Sequence, residues 1–97
     1  MNEVFETENF RQRFELLESV EQEWIEKIRT QLRNSLDVGK PLSYWLREKK
    51  LTSKRLYFAV NSNTRKVLLL FFAHKRDQQK IINSLQDHKE EHLALIR

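Results

Sequence analysis

Residues 54–76 read KRLYFAVNSNTRKVLLLFFAHKR, and the fold turns on this stretch. Its first arm, Arg55-Leu56-Tyr57-Phe58-Ala59-Val60, is rich in aromatic and β-branched residues, and its second, Val67 to Ala73, is an unbroken apolar run bounded by charge. Both compositions favour strands. Between them, Asn61-Ser62-Asn63-Thr64 supplies turn chemistry, because Asn tolerates positive φ and Asn and Ser side chains bond their own backbone. The apolar run is far shorter than the roughly 20 residues that a membrane-spanning helix needs. It is expected as a central strand with both faces covered. In such a hairpin the start of one strand lies beside the end of its partner, which should bring Arg55, His74, Lys75 and Arg76 to one rim.

Outward from the hairpin, Arg47-Glu48-Lys49-Lys50-Leu51 can form a short strand beside Arg55 to Val60. On the other side Asp77 can cap a last helix, whose apolar side is marked by Ile81, Ile82, Leu85, Leu93 and Ile96. Near the N-terminus, Val4 and Glu6 bracket Phe5 in a pattern that permits a brief strand. Thr7 can then cap a helix with Phe10, Phe14 and Leu17 on one face. Ser19-Val20-Glu21-Gln22 matches a capping box and should start a second helix, striped by Val20, Trp24, Ile25, Ile28, Leu32 and Leu36. Gly39 is placed just past that helix, where a left-handed residue is common, and Pro41 discourages its resumption. The order is strand, helix, helix, three strands, helix. It predicts an α+β fold, a small antiparallel-rich sheet with helices packed on it, in one domain spanning residues 1–97.

The 97 residues carry 18 Lys and Arg against 14 Asp and Glu, a net charge of +4 that suits an anionic partner. The absence of cysteine excludes disulfides, thiolate nucleophiles and Cys-zinc sites, and fits a reducing, cytoplasmic setting. The first residues show neither a basic start nor an apolar stretch, so no signal peptide and no membrane partner are expected. One Gly and one Pro argue against a Gly-rich phosphate loop, and no small-molecule cofactor is expected. His88 and His92 have the four-residue spacing of joint metal ligands, with Asp87 and Glu91 as third candidates. Without the Glu of the zinc-protease motif they are assigned to a solvated helix face, and no metal site is expected.

Seven cations, Arg47, Lys49, Lys50, Lys54, Arg55, Lys75 and Arg76, have only Glu48 and Asp77 close by in sequence. As a solvated sheet edge they would deter strand-to-strand aggregation. As a local positive field they would hold a phosphate backbone, with Tyr44, Trp45 and Tyr57 available to stack bases or to fill the core. His74 is the one histidine among them, either a proton carrier near neutral pH or a strand-end side chain.

Arg47-Glu48-Lys49-Lys50, Lys54-Arg55-Leu56-Tyr57-Phe58 and Ala73-His74-Lys75-Arg76-Asp77-Gln78-Gln79 resemble successive segments of the RelE/ParE superfamily of toxin-antitoxin toxins, including HigB-like members. The resemblance covers nearly the whole chain and rests on the conjunction, no single motif being specific. It implies a sheet wrapped by helices that enters the ribosomal A site and cuts translated mRNA, the RNA 2′-hydroxyl attacking the adjacent phosphate. It further implies an antitoxin partner. Arg55 resembles the family's strand arginine and Arg76 the one following the last strand, and Lys49 and Lys50 fall near its lysines. On this resemblance Arg55, His74, Lys75 and Arg76 are the catalytic candidates, and Arg47, Lys49, Lys50, Lys54 and Tyr57 the RNA-binding ones. Where RelE places a tyrosine early in the last helix this chain has Ile82, which leaves His74 or Lys75 as proton carrier. The resemblance also admits a ParE-like inhibitor of DNA gyrase, or a non-catalytic nucleic-acid- or partner-binding module.

Overall fold

The computed structural model describes residues 1–97. The chain runs through β1 (Glu3–Glu6), α1 (Glu8–Phe14), α2 (Ser19–Asn34), β2 (Lys40–Pro41), β3 (Leu46–Leu51), β4 (Lys54–Asn61) and β5 (Lys66–His74). A 3-10 turn (Lys75–Asp77), α3 (Gln78–Asp87) and α4 (Lys89–Ala94) complete it. The five strands form one sheet in the order β1-β5-β4-β3-β2. Only β1 pairs in parallel, with β5; the remaining pairs are antiparallel. The expected α+β class holds.

The hairpin forms as its sequence demands. Asn61 Oδ1 accepts from the amides of Asn63 (3.0 Å) and Thr64 (3.2 Å), an Asx turn, whereas the positive φ of the loop falls on Arg65 (58°) rather than on an asparagine. Because strand side chains alternate, Leu56 and Phe58 of β4 and Val67 and Leu69 of β5 bury against α1 and α2, with Phe10, Phe14, Ile25, Ile28 and Leu32. Tyr57, Ala59, Leu68 and Leu70 bury on the opposite face with Trp45, Leu46, Ile81, Leu85 and Ile96. The Val67–Leu70 run is therefore apolar throughout because both faces are covered.

Local expectations fare unevenly. Thr7 caps α1, its hydroxyl accepting from Phe10 N at 3.0 Å. Ser19 does not cap α2: Glu18 is the cap residue and makes no side-chain bond, while Gln22 Nε2 donates instead to Phe14 O at 2.8 Å. That bond ties the start of α2 to the end of α1. Gly39 lies beyond the α2 terminus, which closes through Ser35 N to Gln31 O (3.0 Å). Its positive φ of 76° serves the crossing onto β3, where a Cβ would stand 2.2 Å from Glu48 O. The expected single last helix breaks at His88 into α3 and α4. Asp77 precedes α3 without a side-chain cap bond.

Candidate nucleic-acid interface

The β3–β4 loop is two residues long, Thr52-Ser53, between the paired Leu51 and Lys54. Thr52 adopts φ of 49°, a region that β-branched residues avoid, and strain of that kind persists only where the surroundings enforce it. The loop is held from two sides. Arg55 Nη1 donates to Thr52 O (3.1 Å) and to Lys54 O (3.0 Å), and Lys75 N donates to Ser53 O (2.7 Å). The turn that carries exposed Lys75 and Arg76 is thereby fixed beside Arg55 at one end of the sheet. Within the turn, His74 Nδ1 accepts from Arg76 N at 3.1 Å.

His74 does not complete the rim expected of it. A register shift at Tyr57/Phe58 leaves Leu70 as an extra residue in β5, so that His74 pairs with Lys54 and Arg55 with Ala73. Paired residues share a face and neighbours alternate. Arg55 thus lies on the α3 face with Tyr57, and His74 on the α1/α2 face with Phe72 and Lys54.

Three of the proposed RNA-binding residues are occupied elsewhere. Arg47 spends its guanidinium on the chain before β2, donating from Nε to Val38 O (2.9 Å) and from Nη2 to Gly39 O (2.9 Å), with Asp37 at 3.4 Å. Lys54 pairs with Glu21 of α2 and lies over the Phe72 ring, 5.5 Å from its centroid. Tyr57 is fully buried and cannot stack a base. Trp45 is likewise core; Tyr44 is exposed, with Lys89 Nζ over its ring.

Three of the candidate cations that stay free share one cleft. Lys49, Lys50 and Arg55, together with Lys40, Gly39 and Glu48, line an open cleft of about 380 Å³ without a hydrophobic side chain. None of Lys40, Lys49, Lys50, Arg55, Lys75 and Arg76 pairs with a carboxylate. Lys40 escaped the sequence reading, and its signal was the turn glycine before it, which delivers the β2 lysine opposite Glu48. A second groove of similar volume, between β5 and α3, mixes Phe71, Ile81 and Leu85 with Arg13, Asp77 and Lys80 and contains none of these cations. The His88 and His92 rings lie side by side at the α3–α4 break, tilted by 43° with centroids 6.3 Å apart, and no third metal-ligating side chain joins them.

Behind the cleft, Glu48 stands directly opposite Tyr57. Burial, and after it the Glu48 charge, push the Tyr57 phenol up to about 12; its hydroxyl faces Gln78 without a well-formed hydrogen bond. An unfolded tyrosine ionises near pH 10, so the folded protein is expected to lose stability as pH rises from about 10 towards 12, and to keep it in full below 10. Urea unfolding at several pH values checks this. Tyr57→Phe should flatten the alkaline loss, and an equally steep loss in that variant would assign it to other groups.

No family model and no curated protein matches the sequence. Among solved structures, the isolated E. coli RelE toxin superposes with a TM-score of 0.67 at 16% identity, covering 76% of this chain and 84% of that one. A mutant E. coli RelE in the free state, with two arginines replaced by alanine, gives a TM-score of 0.73 at 15% identity over 89% of this chain and 96% of that one. No helix is long and apolar enough to cross a membrane. With its five-stranded sheet, parallel only at β1–β5, and helices on both faces, the chain has the RelE toxin fold.

Proposed function

We propose that the protein is a RelE-type toxin, a ribosome-dependent endoribonuclease that cuts translated mRNA in the cytoplasm and is held in check by a cognate antitoxin. The observation that carries this reading is the open, wholly polar cleft of Lys40, Lys49, Lys50 and Arg55 at one end of a RelE-like sheet. Lysines free of carboxylate partners are disposed to hold a phosphate backbone. Arg55 is oriented by two backbone carbonyls, and preorganised guanidinium groups act most strongly where charge develops on a phosphate oxygen during 2′-hydroxyl attack. Arg76, on the adjoining turn, supplies a second such charge. Lys75 opens the turn whose backbone is bonded to the loop that Arg55 also holds, and with His74 on the other face of the sheet it is our choice of proton carrier.

Primer extension on mRNA translated by purified ribosomes tests the proposal. Breaks that appear only with ribosomes present support it. Intact mRNA, with stabilised gyrase–DNA cleavage complexes in a parallel assay, would move the assignment to a ParE-like inhibitor. Binding to ribosomes or single-stranded RNA should weaken steeply with salt, and Lys49→Ala or Lys50→Ala should each flatten the log–log slope by roughly 0.7 without unfolding the protein. Slopes identical to wild type would remove these lysines from the phosphate track.

A further inference from the structure

Gln78 Nε2 donates to Glu48 Oε2 at 2.6 Å, across 30 residues of chain, and Glu48 is 9% exposed. This bond joins the first residue of α3 to the middle of β3, where Glu48 also lines the cationic cleft. Immediately before Gln78 stands the turn with Lys75 and Arg76, tied at its other end by Lys75 N to Ser53 O at 2.7 Å. The turn is thus pinned at both ends. Asp77 provides no cap to hold the start of α3, and the hydroxyl of Tyr57 beneath it is unbonded. The Glu48–Gln78 bond is therefore the side-chain hydrogen bond that anchors the start of α3 to the sheet.

We propose that Glu48 and Gln78 are positioning residues, whose hydrogen bond fixes the Lys75–Asp77 turn, and with it Arg76, beside the Arg55 cleft for phosphate chemistry. The proposal rests on the nuclease reading above and adds to it the pair that sets the geometry. Gln78 touches no reacting atom. It acts through the turn, and a group displaced by about 1 Å from its productive place costs up to roughly 100-fold in rate.

The test is a reciprocal exchange. Gln78→Ala should slow cleavage on the ribosome about 10- to 100-fold with affinity changed less than about twofold, the pattern of a lost transition-state alignment. Gln78→Glu should do the same by setting two carboxylates against each other. The double variant Glu48→Gln/Gln78→Glu restores one amide and one carboxylate at unchanged net charge and should regain most of the rate. Amide hydrogen exchange gives an independent readout, because the Lys75 amide is bonded to Ser53 O of the neighbouring loop and the Arg76 amide to His74 Nδ1 at the start of the turn. Their exchange should quicken in Gln78→Ala and slow again in the double variant. Rates and exchange in Gln78→Ala equal to wild type would overturn the proposal, as would a double variant no better than the single ones. Wild-type protein that leaves mRNA intact overturns the nuclease reading instead; exchange at Lys75 and Arg76 in Gln78→Ala then decides the anchoring role of the Glu48–Gln78 bond alone, quickened exchange supporting it and unchanged exchange overturning it.

Discussion

Arg55→Ala is expected to slow mRNA cleavage on the ribosome by about 100-fold or more, about 3 kcal/mol of transition-state stabilisation, while ribosome affinity falls far less. The guanidinium is held by Thr52 O and Lys54 O on the wall of a cleft whose other cations are lysines. A lysine is a point charge and cannot reproduce the fork of donors that stays fixed while charge accumulates on a phosphate oxygen, so Arg55→Lys should recover little. Arg76→Ala should cost a similar factor. His74→Gln supplies the contrast. A proton carrier costs roughly 100-fold or more on removal, but with its ring on the opposite face His74 is expected to cost less than about tenfold. Single-turnover cleavage rates on programmed ribosomes, with circular dichroism to establish folding, decide all three. An Arg55→Ala variant within about threefold of wild type would remove the arginine from the chemistry.

The second large effect concerns stability. Glu6, the last residue of β1, accepts from Arg29 Nη2 at 2.7 Å, from Arg11 Nη2 at 2.9 Å and from Arg11 Nε. One carboxylate thereby joins the edge strand to α1 and α2. The Arg29 side chain is 8% exposed, and its remaining carboxylate, Glu26, lies 3.4 Å away in solvent. Glu6→Ala strands a buried guanidinium and should cost about 3–5 kcal/mol, whereas Glu6→Leu with Arg29→Met, which removes both charges, should recover most of it. Arg11 is 43% exposed and can return to water. Urea midpoints of the three proteins check the expectation. A loss below about 1 kcal/mol for Glu6→Ala would show that Arg29 finds water or Glu26 at little cost.

What the sequence disclosed and what it withheld divide along a physical line. The β4–β5 hairpin was legible because strand propensity, an unbroken apolar run and an Asn-rich turn are all local. The short β1, the third antiparallel strand and the Thr7 cap were legible for the same reason. The composition of the site was only half legible. Free cations at one sheet end follow from the hairpin, but which of them stay free depends on partners far along the chain. Lys54 is neutralised by Glu21, 33 residues away, and Glu48 is engaged by Gln78, 30 residues away. The engagement of Arg47 was not legible, because its guanidinium satisfies the carbonyls of Val38 and Gly39, a bend invisible until the chain doubles back. Tyr57 followed its apolar neighbours into the core. The placement of His74 hangs on a single residue. Strict alternation from Val67 would have set it on Arg55's face, and the bulge at Leu70 reverses that parity. Ile82, at the place where the family resemblance puts a tyrosine, packs against the second core cluster instead of reaching the cleft.

The most direct measurement is the chemistry of the ends left on ribosome-bound mRNA by the wild-type protein. Attack by a 2′-hydroxyl on the adjacent phosphate forms a new P–O2′ bond and expels the 5′-oxygen of the next nucleotide. Mass spectrometry of the fragments should therefore find a 2′,3′-cyclic phosphate upstream of the break and a 5′-hydroxyl downstream, only when ribosomes are present. Fragments ending in 3′-hydroxyl and 5′-phosphate, or no fragments at all, would contradict the account.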